Sequence, residues 1–153
     1  MPARDTKKEL GGLSAGAGRA WSAFLRGHAH VVAQMSEELE AGGGMPLTHY
    51  DVLRQLALAP HSALRMSELA ERVMLSRPGL TGVVKRLEAE GLVDRRPCAD
   101  DGRGFDAVLT TRGRRRLLAA HPTHVRSIRK RFASHYTDEE LSTLAELLDR
   151  LRP

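Results

Sequence analysis

The stretch "MSELAERVMLSRPGLTGVVKRLEAEGLVDRR", residues 66–96, decides the fold. Two helical signals follow one another with almost no linker. Ser67 is expected to cap "ELAERVML", barely two turns long, with Leu69, Ala70 and Val73 as its apolar stripe. Ser76 is expected to cap the next helix, with Pro78 in its first turn, where a missing N–H does no harm. That helix repeats Leu80, Val83 or Val84, and Leu87 on its inner face. Gly91 supplies a left-handed stop and Leu92 closes it. A short helix, a tight turn and a longer helix make a helix-turn-helix.

Downstream, "LVDRRP" and "FDAVLT" are short extended runs separated by "CADDGRG", so the pair reads as a hairpin with a long polar tip. Thr110 or Thr111 starts a long helix to about Tyr136, expected to kink at Pro122. "TDEELSTLAELLDRL" opens with a capping box, Thr137 to Glu140, and carries Leu141, Leu144, Leu148 and Leu151 as a stripe. Upstream, residues 19–40 repeat Trp21, Phe24, Leu25, His28, Val31 or Val32, Met35 and Leu39 at helical spacing. "AGGGMP" ends that helix, Thr48 is expected to cap "HYDVLRQLALA", and "PHSALR" reads as a turn.

The expected class is mainly α with a small β-hairpin wing, a winged helix-turn-helix with a helical dimerisation lobe. Residues 1–18 read as a flexible arm, 19–47 and 111–153 as the dimerisation region, and 48–110 as the DNA-binding domain. The first and last helices carry stripes that one chain of this size is not expected to cover: Val31, Met35 and Leu39, then the four leucines. They point to a twofold dimer.

Charge agrees with this class. Lys and Arg number 24 against 19 Asp and Glu, a net charge of +5 with pI about 10.0. A basic balance in 153 residues favours an acidic partner, nucleic acid first. Aromatics at 4% supply little base stacking, which disfavours single strands. One cysteine rules out an internal disulfide and suits a reducing cytoplasm. No apolar run approaches the roughly 18 residues of a membrane span, and no secretory signal opens the chain. No nucleophile–base signature and no phosphate loop occur, so the chain is not expected to be an enzyme and no cofactor is expected.

The recognition candidates lie opposite the apolar face of the second helix: Ser76, Arg77, Thr81, Gly82, Lys85 and Arg86. Arginine there can bridge guanine, and a hydroxyl can meet phosphate or base. Gly79 and Gly82 cost a helix interior roughly 1 kcal/mol each against alanine. Close backbone approach to DNA and mere tolerance both account for them. At the hairpin tip, Arg103 between two glycines can enter a narrow minor groove, with Asp101 holding an arginine in place. A solvated tip with an incidental arginine is the plainer reading.

The string "DGRGFDAVLT", Asp101 to Thr110, resembles the wing signature of the multiple-antibiotic-resistance-regulator (MarR) family: Asp, any, Arg, five of any, Leu, Thr. Residues 66–96 are similar to the family's helix-turn-helix, and six helices with a hairpin after the fourth also fit. The resemblance spans about residues 19–151. It implies a homodimer that binds duplex DNA at a palindromic operator, usually as a repressor released by a small molecule, often an anionic aromatic. It departs at Gly82, where relatives reading "SRSGLT" commonly carry a bulky or charged residue.

The family's ligand pocket is lined by the first helix. Trp21, Phe24 and His28 share one face there and are the ligand candidates, though ordinary core packing also explains them; Asp51 and Tyr50 are weaker candidates, and Asp51 could equally pair with a surface arginine. Arg112, Arg114, Arg115 and Arg116 are candidates for phosphate contact or a solvated face, and Arg126, Arg129, Lys130 and Arg131 for surface or dimer-lobe charge. Three other readings stand beside the regulator. A protein-docking winged helix would show an apolar or mixed recognition face. Metal sensing meets the obstacle that His28 and His30 project from different faces, while His121 and His124 lack a third ligand. Redox sensing rests on Cys98 beside Arg95 and Arg96, away from the first helix where the family's oxidation sensors keep their cysteine.

Overall fold

The core gathers where the sequence places its apolar stripes. In the computed structural model, which describes residues 12–73, 75, 77–97 and 104–151, with Arg77 described by its backbone, Leu53, Leu56, Leu69, Leu80, Leu87 and Val93 are buried in one cluster. The helices are α1 (Ala15–Gly43), α2 (Leu47–Leu58), α3 (Met66–Arg72), α4 (Arg77–Ala89), α5 (Thr111–Arg131) and α6 (Asp138–Asp149). Three strands, β1 (Ala63–Arg65), β2 (Val93–Pro97) and β3 (Phe105–Leu109), form an antiparallel sheet in the order β1-β3-β2. Mostly helical with one small sheet, this is the winged helix-turn-helix architecture.

The chain divides into two compact units, residues 1–33 and 34–153. The first holds most of α1. That helix begins at Ala15, inside the segment expected to be an arm, because Ser14 Oγ accepts from the Ala17 N–H (3.2 Å) and caps the first turn. Residues 1–11 of the expected arm lie outside the described residues. No residue of 12–33 is buried.

In the second unit, α4 shows why packing outweighs propensity. Leu80, Val83, Val84 and Leu87 are all buried. At roughly 1.5–3 kcal/mol for each large apolar side chain, they outweigh roughly 1 kcal/mol for each of two glycines. Gly91 (φ +68°) ends the helix: its N–H donates to Glu88 O (2.9 Å) and the Leu92 N–H to Leu87 O (2.8 Å), a Schellman stop.

Several local expectations need correction. Thr48 does not cap α2, which starts at Leu47 behind Pro46 and has no side-chain cap. Ser67 does not cap α3, which already begins at Met66. "PHSALR" is more than a turn: a single 3-10 turn at Pro60–Ser62 leads into β1, which pairs with β3. Met35 and Leu39 are buried within their own chain, so of the first helix's expected dimer stripe only Val31 stays partly exposed. The long helix ends at Arg131 rather than near Tyr136 and is followed by a 3-10 turn at Ala133–His135. Its cap is Thr110, whose Oγ1 accepts from the Gly113 N–H (2.9 Å), and the capping box of Thr137 and Glu140 opens α6 as expected.

Candidate nucleic-acid interface

Between α3 and α4 the turn is tight: the Val73 N–H donates to Leu69 O (3.0 Å) and the Leu75 N–H to Val73 O (2.8 Å). With one face of α4 fixed by its four buried side chains, the opposite face is presented outward. Pro78, Thr81, Lys85 and Arg86 are exposed there, and a Cβ built on Gly82 would meet nothing within 4 Å. Thr81, Lys85 and Arg86 therefore share the outer surface of one helix. Ser76, the Arg77 side chain, Asp101, Arg103 and Cys98 lie outside the described residues.

The hairpin behind α4 is built from β2 and β3, with Val93 opposite Leu109 and Pro97 opposite Phe105. Val93, Ala107 and Leu109 anchor its base in the core. Farther out, the Arg95 guanidinium lies over the Phe105 ring, 4.5 Å from its centroid. The register sets Arg65 of β1 and Arg96 of β2 on either side of Asp106. The strands thus carry positive charge toward the tip.

The start of α5 joins these parts. Gly113 packs so tightly on the exit of α4 that an added Cβ would stand 2.0 Å from Leu92 O. Thr110 Oγ1 donates to Gly91 O (2.8 Å), and the Thr110 N–H donates to Leu92 O (3.2 Å). Of the arginines there, Arg114 donates to Ser62 Oγ (2.6 Å), and Arg116 donates to Gly43 O (2.7 Å) and to Gly44 O. Arg116 therefore satisfies orphan carbonyls at the negative end of α1, a structural role that the phosphate-or-solvent reading missed. Arg112 and Arg115 make no hydrogen bond or ion pair with the described residues. They line, with Glu90, Leu92, Arg116 and Ala119, an open cleft of about 490 Å³. None of the expected ligand residues lines it.

Those ligand candidates divide between the two units. Trp21, Phe24 and His28 lie on α1 in the first, all exposed, Trp21 at 55%. Their rings form a ladder, 6.1 Å from Trp21 to Phe24 and 6.3 Å from Phe24 to His28. They are not core residues of the chain. Asp51 lies on α2 in the second unit, half-buried; burial raises its pKa, opposed by Arg54 and a hydrogen bond from Gln55.

Tyr50 is a core residue, and its hydroxyl and His121 Nδ1 share a hydrogen bond (2.7 Å). The His124 ring sits 4.1 Å from the Tyr50 ring, and burial, aided by Arg54 and His121, lowers its pKa. His121 and His124 thus share a face across Pro122, as the spacing suggested, and pack on a tyrosine. Among the described residues no group of three His, Cys, Asp or Glu side chains is placed to hold a metal ion. No helix among them is long and apolar enough to cross a membrane.

A recognition helix with an outward basic face and a β-hairpin in a three-stranded sheet define a winged helix-turn-helix regulator class. The MarR family model matches residues 43–104. The chain is 32% identical over 119 residues to the HTH-type transcriptional repressor YetL of Bacillus subtilis, covering 75% of this chain and 71% of that protein. It is 31% identical over 98 residues to the homoprotocatechuate degradative operon repressor of Escherichia coli, 64% of each. Among solved structures it is similar to Sco3205, a MarR family transcriptional regulator from Streptomyces coelicolor in complex with DNA: TM-score 0.85, 31% identity, 92% of this chain and 89% of that one. The chain belongs to the MarR family of transcriptional regulators.

Proposed function

We propose that this protein is a homodimeric, sequence-specific repressor that binds a palindromic operator in the cytoplasm and is released by a small anionic aromatic ligand. The carrying observation is the outer face of α4, where Thr81, Lys85 and Arg86 stand opposite a fully buried stripe. Such a face is polar and basic, which suits a DNA groove better than a protein-docking role. Ser76, Arg77, Asp101 and Arg103 are the further DNA contacts proposed from the sequence. Residues 48–110 then act as the DNA-binding domain, and 19–47 with 111–153 as the dimerisation region. The complex of Sco3205 with DNA supports this reading.

Operator binding should fall steeply with salt. A dimer meeting roughly 8–10 phosphates gives a log–log slope of about −7 to −9. Fluorescence anisotropy on duplexes selected from a random pool measures it. Arg103→Ala should weaken binding and flatten the slope; unchanged affinity and slope would remove the wing from the interface.

For the ligand, the support is the exposed ring ladder of Trp21, Phe24 and His28, with Asp51 as an additional candidate. A flat acid can stack on the indole and accept a hydrogen bond from His28. A ligand preferring the DNA-free form by 100-fold shifts the equilibrium by about 2.7 kcal/mol, and DNA must weaken the ligand equally. Trp21 is the only tryptophan, so its fluorescence reports directly. Phenolic and heteroaromatic acids should quench it and release DNA, with both effects reduced in His28→Ala. Normal release from Trp21→Ala and His28→Ala together would place the pocket elsewhere.

A further inference from the structure

Several glycines in the second unit have visible intramolecular reasons. Gly91 and Gly44 adopt positive φ; Cβ atoms at Gly43 and Gly113 would collide with Leu39 and with Leu92 O. A Cβ added at Gly42 would stand 3.3 Å from Thr123 Cγ2. Among the described glycines there, Gly82 has ordinary helical backbone and open space around its Cβ position. Neither conformation nor packing asks for glycine at the middle of α4, where alanine would make a better helix. Its position also lies on the outward line of the helix. The buried line of α4 is Leu80, Val83, Val84 and Leu87, and Pro78, Gly82, Lys85 and Ala89 follow the opposite line at steps of four, three and four.

We infer that Gly82 is a specificity-determining residue: a base-pair edge packs directly against its Cα, and any side chain there holds α4 out of the groove. The inference rests on the DNA-binding reading above. A helix backbone has a radius of about 2.3 Å, whereas the side-chain envelope extends to about 5–6 Å. A bare position on the outward line therefore lets the axis sit deeper. Thr81 and Lys85, on either side, then reach base edges that a helix held farther out would leave to water. The major groove admits a helix with little clearance, so one methyl group is felt. The recognition contact here is thus made partly by backbone.

The test compares the full-length protein with Gly82→Ala. Duplexes are selected from a random pool by the wild-type protein, and affinities are measured on a selected and a scrambled duplex beside thermal melts. Gly82→Ala should raise the Tm by about 2–4 °C, lose about tenfold or more affinity for the selected duplex, and change affinity for the scrambled one less than about threefold. Retained affinity for the selected duplex would overturn the inference. So would a lowered Tm, which would mean the fold itself needs the glycine, or an equal loss on both duplexes, which would mean a phosphate contact. If the wild-type protein selected no duplex, the regulator reading would fall as well, an outcome distinct from the other three.

Discussion

Glu38 is the residue whose environment most changes its chemistry. It lies on α1 within the second unit and collects a hydrogen bond from Ser127 Oγ, others from Arg131 Nε (2.9 Å) and Nη2, and a longer one from Lys130 (3.3 Å). Chiefly through Ser127 and then Arg131, its pKa falls from 4.5 to about 2. A carboxylate held below its unfolded value stabilises the fold wherever it is ionised. The contribution is complete above about pH 4.5 and is lost as pH falls through about 2. Glu38→Gln should therefore lower the Tm at pH 7, and the gap from wild type should close on acidification toward pH 2. A gap of constant size across a calorimetric pH series would refute the assignment. The second arginine-rich cluster, read from sequence as surface or dimer-lobe charge, is in part the cationic half of this network. Nothing in the spacing of residues 38 and 127–131 announces it, because the partners are about ninety positions apart.

At the scale of elements, what could be read in the sequence was set by periodicity. Apolar repeats at three and four made five of the six α-helices legible, and the long one was read from its threonine start. Caps were legible only where the side chain has no rival. Thr137 and the Gly91 stop behave as expected and Thr110 rather than Thr111 caps the long helix, whereas Thr48 and Ser67 fall inside helices that start at Leu47 and Met66. β1 could not be seen, since three residues cannot establish an alternation; pairing with β3 makes it a strand. The candidate site was legible on α4 because its outer face is defined by exclusion from the core. Arg116 was misread because its role depends on the carbonyls of Gly43 and Gly44, which only the fold brings near. The signal that could have found Gly113 is its place three residues after the Thr110 cap, where the helix start leans on the previous element.

At the scale of the molecule, α6 raises the question of what holds it. It is a well-formed helix of 12 residues with a complete capping box, yet none of its residues is buried. Helices this short are marginal in water without a packed face. Leu141, Leu144 and Leu148 are only partly covered, and Leu147 and Leu151 are exposed. A leucine-rich face only partly covered on a short helix fits a second copy of the chain, since a twofold interface covers the same stripe on both copies at once. The expected species in micromolar solution is a dimer, twice the 16.8 kDa chain, by sedimentation or light scattering. Leu144→Glu with Leu148→Glu should yield monomers, because each buried charge would face its own image across the axis. One lobe then meets half the phosphates, so the salt slope on operator DNA should halve to about −3.5 to −4.5. A wild-type chain sedimenting at the mass of one copy would sink the dimer, and a double variant that stayed dimeric would take α6 out of the interface.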